Sequence, residues 1–167
     1  MRFEQVAGSI TLKLTLAGLL VAGFAAPAGD PAGYHLWRSA ELKAFRNTLA
    51  PKIEPKFKYA TSGSLASVGN YGFSMSHREG IGEVEYHETQ ADIMIVQSGE
   101  ATVLYGGNMV DKTIKSPGEL RSITSTGGTE VKIGVGDVMT IPAKMPHQVR
   151  VNPGKEITYM LVKVTTP

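Results

Sequence analysis

The sequence predicts an all-β fold, a sandwich or barrel, with one short helix packed outside it. Three observations carry this. Short β-prone runs punctuated by glycine, asparagine and proline fill the chain from Ile53 onward. Only one segment repeats its apolar residues at helical spacing. The 167 residues also hold 19 glycines and 9 prolines, a turn-rich composition. With 42% hydrophobic and 19% charged residues the chain is globular in balance, and its length suits one domain.

The first thirty residues read differently from the rest. Arg2 and Lys13 supply positive charge, Leu14 to Ala26 is a 13-residue apolar run, and Ala26 and Ala28 are spaced as an A-x-A cleavage site. Thirteen residues are too few to span a bilayer, which takes about 20. Residues 1–28 are therefore expected to be a signal peptide and the mature protein to be secreted or periplasmic, with no membrane contact after cleavage. Residues 29–52 form an N-terminal arm with a helix over Ser39–Leu49, capped by Ser39 and stopped by Pro51. Leu42, Phe45 and Leu49 give that helix its apolar stripe.

Residues 53–167 form the β domain. Its expected strands are Ile53–Ala60, Ser64–Val68, Tyr71–His77, Gly82–Glu88, Asp92–Gln97 and Ala101–Tyr105. Arg121–Thr124, Glu130–Ile133, Val138–Ile141, His147–Val151 and Ile157–Val164 follow. Ser98-Gly99 reads as a hairpin turn, Gly106-Gly107 closes the next strand, and Asn108–Gly118 reads as a loop.

Composition excludes several function classes. There is no cysteine, hence no disulfide framework, thiolate site or cysteine nucleophile. Seventeen basic residues against fifteen acidic ones, mixed along the chain, leave no basic stripe for nucleic acid. The paired glycines at 106–107 and 127–128 are turns rather than phosphate loops, and no serine has the setting of a nucleophile elbow. Any chemistry is therefore expected to be metal chemistry.

Four histidines offer imidazole: His35, His77, His87 and His147. Strand alternation puts Glu85 and His87 on one face, with Asp92 at the start of that face of the next strand and Gln90 at the bend between. Two carboxylates and an imidazole buried together call for a cation. His77 lies on a strand expected to run antiparallel to the one bearing His87. In one register Ser74 and Ser76 face inward; in the other Met75 and His77 do. A rigid turn between Pro142 and Pro146 delivers His147 at a strand start.

These residues resemble the two motifs of the cupin family. Glu85-x-His87-x4-Asp92-x6-Gly99 is similar to the first, and Gly136, Pro142 and His147 to the second, within a likeness running from about Tyr71 to Val164. Glu85 stands where the family has its first histidine, Asp92 where it has glutamate, and Lys144 replaces a glycine. The resemblance implies a double-stranded β-helix, the cupin jelly-roll barrel, holding one divalent metal. The ligands it implies come from His87, His147, Glu85, Asp92 or Gln90, and His77, with Glu85, His87 and His147 as the catalytic set. Small secreted cupins include a copper-dependent branch acting oxidatively on cellulose. Export and the Irving–Williams order favour copper or zinc, and the resemblance makes copper the expected ion, with zinc, manganese or iron as the other candidates. The expectation is thus a copper-dependent oxidoreductase on polysaccharide or small carbohydrate. The alternatives are a non-redox manganese or zinc isomerase or lyase, with Glu85 or Asp92 as general base, and a non-catalytic ligand-binding barrel. Exposed strand edges predict a homodimer.

Overall fold

The computed structural model describes residues 31–53 and 60–166. The expected signal segment 1–28 and most of the expected strand Ile53–Ala60 lie outside the described residues. His35–Pro167 form one unit. Of the other, Met1–Tyr34, the described part is a turn in which the Tyr34 N–H donates to the Pro31 carbonyl over 3.0 Å. No helix among the described residues is long and apolar enough to cross a membrane.

One helix, α1 (Ser39–Asn47), is followed by a single 3₁₀ turn at Ala50–Lys52. Ser39 does not cap it. Arg38 holds the cap position, and its backbone N–H donates to Glu41 Oε2 at 2.7 Å. A first-turn glutamate reaching back in this way satisfies a donor the helix cannot satisfy itself. Leu49, just past the helix, is buried, and the Phe45 and Leu49 side chains sit over Gly63, where a Cβ would come within 2.6 Å of the Phe45 ring.

Twelve strands follow among the described residues: β1 (Ala60–Val68), β2 (Tyr71–Arg78), β3 (Val84–His87), β4 (Gln90–Tyr105), β5 (Asn108–Val110) and β6 (Thr113–Ser116) come first. Then come β7 (Glu119–Ser122), β8 (Thr124–Thr126), β9 (Thr129–Gly134), β10 (Val138–Ile141), β11 (His147–Arg150) and β12 (Ile157–Thr165). The strand order is β1-β2-β12-β4-β11-β3-β7-β6, with β9 and β10 also on β4 and a separate β5–β8 pair. The segment expected as a loop, Asn108–Gly118, thus contains two short strands.

The expected hairpin at Ser98-Gly99 is not one. β4 is a single strand of 16 residues that changes sheets at Gly99. Its first half pairs with β12 and β10, and its second half, from Glu100, pairs with β9 and β11. Gly99 has φ 75°, and a Cβ there would lie 1.9 Å from the Glu156 carbonyl, so only glycine lets the strand bend against the β11–β12 connection. A turn dipeptide between two alternating runs looks the same whether the chain reverses or only bends. β2 likewise pairs with β1 and β12 rather than with β3, so His77 and His87 stand in different sheets.

The two halves of β4 carry sheets that curl round a shared interior, the jelly-roll barrel. Met94, Val96, Val103, Ile133, Ile141, Val149, Val151, Ile157 and Tyr159 fill it. Alternation along the first half of β4 is clean, with Asp92, Met94 and Val96 buried. Met94, Val149 and Tyr159 also border a polar cavity, so the apolar core is the floor of the site.

Candidate metal centre

Cross-strand register assembles the site. β3 offers Glu85 and His87 from one face. On β7, Arg121 lies opposite Glu85 and Glu119 opposite His87. The first residue of β11, His147, also lies opposite Glu85. From the other sheet β4 brings Asp92, whose cross-strand partner on β12 is Lys163.

Hydrogen bonds orient both imidazoles. His87 Nδ1 lies 2.6 Å from Glu119 Oε2, an acceptor, so that nitrogen carries the proton. His147 Nδ1 donates in the same way to the Met145 carbonyl at 3.0 Å. Both Nε2 atoms therefore point inward with their lone pairs directed at the cluster, the arrangement in which outer partners fix metal-binding histidines. His87 Nε2 is 3.4 Å from Asp92 Oδ2 and 3.8 Å from Glu85 Oε2; His147 Nε2 is 3.5 Å from Asp92 Oδ2. The rings stand 5.3 Å apart at 55°. One donor atom each from Glu85, His87 and His147 falls within 4.8 Å of the others.

Such a convergence of acceptors is unfavourable unless a proton or a cation joins them. The spacing fits a metal. Ligand atoms at about 2.0–2.2 Å round a tetrahedral ion are about 3.3–3.6 Å apart, close to the 3.4 and 3.5 Å between each ring and Asp92. Glu85, His87 and His147 would hold it, with Asp92 beside both rings as a further oxygen donor, a nitrogen–oxygen set suited to copper(II), zinc, manganese or iron.

Three cations already neutralise the cluster. Arg78 donates to Glu85 at 2.8 Å, Arg121 reaches Glu85 at 3.3 Å and Glu119 at 3.2 Å, and Lys163 Nζ donates to Asp92 Oδ1 at 2.7 Å and to His87 Nε2 at 2.9 Å. Burial opposes ionisation of Asp92, yet the His147 and His87 rings, which donate to it when protonated at Nε2 as well, and the Lys163 ammonium outweigh it and hold its carboxyl far below the ordinary range. Glu85 is also held low: burial raises it, and Arg78 and Arg121 more than offset that. Arg78 keeps its charge despite burial, held by Tyr159 and Glu85.

The structure brings Glu85, His87, Asp92 and His147 together and leaves two candidates outside. His77 points away from the cavity: its Nδ1 lies 2.8 Å from Thr158 Oγ1 and its Nε2 3.1 Å from Glu79 Oε1. The register is the one with Ser74 and Ser76 facing inward. Gln90 shares the face of Asp92 but sits two residues further out, against a surface pocket that it lines with Lys163 and Thr165. Lys163, Glu119, Arg78 and Arg121 escaped the sequence reading. Lys163 alone left a local signal, a charge in the inward register of Tyr159 and Leu161 on an otherwise apolar strand.

The cavity beside the cluster has a volume of about 240 Å³ and takes hydroxyls from Ser62, Ser74, Ser76 and Tyr159. A larger hollow of about 390 Å³ lies next to it and shares Ser62, Ser76, Arg78 and Glu85.

The fold is a jelly-roll barrel of the cupin type, with a histidine–carboxylate cluster inside. No protein-family model matches the chain, and no curated protein matches it. Among solved structures it is similar to the TT1209 protein from Thermus thermophilus, with a TM-score of 0.51, 17% identity, and coverage of 73% of this chain and 95% of that one. It is similar to a cupin 2 conserved barrel domain protein from Rhodopseudomonas palustris, with a TM-score of 0.47, 18% identity, and coverage of 65% and 62%. The polyketide cyclase RemF from Streptomyces resistomycificus gives a TM-score of 0.44, 18% identity, and coverage of 63% and 64%. The chain spans under two thirds of the length of the last two. At these identities the likeness is one of fold.

Proposed function

We propose that this barrel is a mononuclear metalloenzyme, with copper the favoured ion, that oxidises a small carbohydrate or the accessible end of a glycan. The observation that carries the metal is the meeting of two inward Nε2 lone pairs with the Asp92 and Glu85 carboxylates. Bound copper supplies one-electron redox chemistry with dioxygen or peroxide. Glu119 and the Met145 carbonyl hold the imidazoles in the ligating tautomer. Met94, Val149 and Leu161 keep the cavity floor apolar. Ser62, Ser74, Ser76 and Tyr159 line the cavity with hydroxyl-bearing side chains, which suits a polyhydroxylated ligand, and about 240 Å³ admits a small unit rather than a polymer segment.

In the non-redox alternative Glu85 or Asp92 serves as a general base beside a manganese or zinc ion. Export and self-association belong to the proposal, supported by the apolar run before Ala28 and by β6, which pairs on one side only among the described residues and exposes Ile114. The test is copper-loaded protein with a reductant, dioxygen or peroxide, and a panel of short oligosaccharides and soluble glycans. Copper-dependent oxidised products, lost in His147→Ala, are expected. Isomerised or cleaved products without redox change would move the assignment to the alternative, and no turnover would leave a binding barrel.

A further inference from the structure

The cluster already contains a cation of its own. Lys163 Nζ donates to His87 Nε2 at 2.9 Å and to Asp92 Oδ1 at 2.7 Å, so it occupies one lone pair that a metal needs and pairs with the carboxylate beside it. Glu85, Asp92 and Glu119 are matched one for one by Arg78, Arg121 and Lys163. With neutral rings the site sums to zero. A divalent ion entering it gains nothing from net charge, and it meets an ammonium at the ligand atoms.

The three cations are not equally able to leave. Arg78 and Arg121 hold Glu85 from both sides, with side chains 13% and 19% exposed. Lys163 is 31% exposed and borders two spaces: the inner cavity and a surface pocket of about 290 Å³ that includes Ser64, Ser67, Asn70 and Gln90. Rotation about its four-carbon stem can carry the ammonium, still protonated, from the first space to the second, among amide and hydroxyl groups. Lysine suits this role because its charge is a compact point on a flexible stem, whereas arginine's planar fork favours fixed pairing.

We infer that Lys163 is a displaceable internal counter-cation. It holds the cluster together in the metal-free protein, and a metal binds only by driving its ammonium into the outer pocket. The inference rests on the metal reading proposed above. Its consequence is an apparent metal affinity lowered by the fraction of molecules whose lysine is in place.

The test compares wild type with Lys163→Met and Lys163→Arg, each stripped with chelator and titrated with zinc and with copper(II) against a chromophoric competitor. Lys163→Met keeps the stem and removes the charge, so its zinc affinity should rise at least tenfold while its metal-free form melts lower than wild type. Lys163→Arg should stay within a few-fold of wild type or bind more weakly. In wild type, zinc should raise amine labelling of Lys163, read by mass spectrometry, several-fold, and His87→Ala plus His147→Ala should abolish the rise. Zinc binding by wild type with equal or weaker binding by Lys163→Met overturns the counter-cation and leaves the metal site standing. Absence of binding in both overturns the metal site and this inference with it. If Lys163→Met fails to fold, the labelling of wild type decides alone: a rise supports displacement, and unchanged labelling in zinc-bound protein refutes it.

Discussion

Replacing Asp92 with asparagine keeps the shape of the side chain and removes the charge at the centre of the cluster. The carboxylate is 5% exposed, accepts from Lys163 at 2.7 Å, and faces both inward imidazole nitrogens at 3.4 and 3.5 Å. Removing one partner of a buried pair costs about 3–5 kcal/mol when the other is left stranded. Lys163 is not stranded, because its side chain is 31% exposed and has a polar pocket to turn into. The loss is then nearer that of a charged hydrogen bond, about 1.5–3 kcal/mol. For a unit of this size that is a fall in Tm of about 5–12 °C. The assay is thermal and urea unfolding of metal-free protein at pH 7, where Asp92 is fully ionised. A change within about 0.5 kcal/mol, the range of ordinary surface substitutions, would refute the claim that this carboxylate organises the centre.

His87→Ala should lose metal affinity well beyond tenfold and the metal-induced rise in Tm, with its β-sheet spectrum retained, as read by titration calorimetry and circular dichroism. Glu119→Gln loosens the outer partner of His87 without removing a ligand, and should weaken metal binding about 10- to 100-fold in the same titration. Glu88, one residue along but exposed, should tolerate Glu88→Gln within about 0.5 kcal/mol by urea unfolding. Asp92 and Glu85 have folded-state pKa values below their ordinary 3.8 and 4.5, so the stability they contribute is complete above that range and is lost as the pH falls below it. Metal-free wild type should melt progressively lower on acidification from pH 5, and the dependence should be shallower in Asp92→Asn. Gly99→Ala should cost at least about 2 kcal/mol by urea unfolding, since it combines a left-handed backbone with a clash against the Glu156 carbonyl.

The face that carries the candidate ligands was legible in the sequence because strand alternation is local. Glu85 and His87, then Asp92, Met94 and Val96, fall on the faces that a period of two assigns them, and a proline-bounded turn does place His147 at a strand start. What pairs across strands was not legible. Glu119 opposite His87, Arg121 opposite Glu85 and Lys163 opposite Asp92 are separated by 32, 36 and 71 residues, and only register joins them. The same limit explains the error at Ser98-Gly99. A glycine with positive φ serves a reversal and a bend equally well, and the difference lies in the β11–β12 connection packed against it. For His77, which sheet its strand joins decides whether its imidazole reaches the cluster or, as here, meets Thr158 and Glu79.

The account turns on the inward Nε2 atoms of His87 and His147 sharing one ion. Crystals of copper-loaded protein, measured for anomalous scattering at the copper edge, test this directly. The account predicts a single peak per chain at about 2.0–2.2 Å from both nitrogens, with oxygen from Asp92 or Glu85 also in the coordination sphere. A peak on any other set of residues, or none between the two rings in copper-saturated crystals, would contradict it.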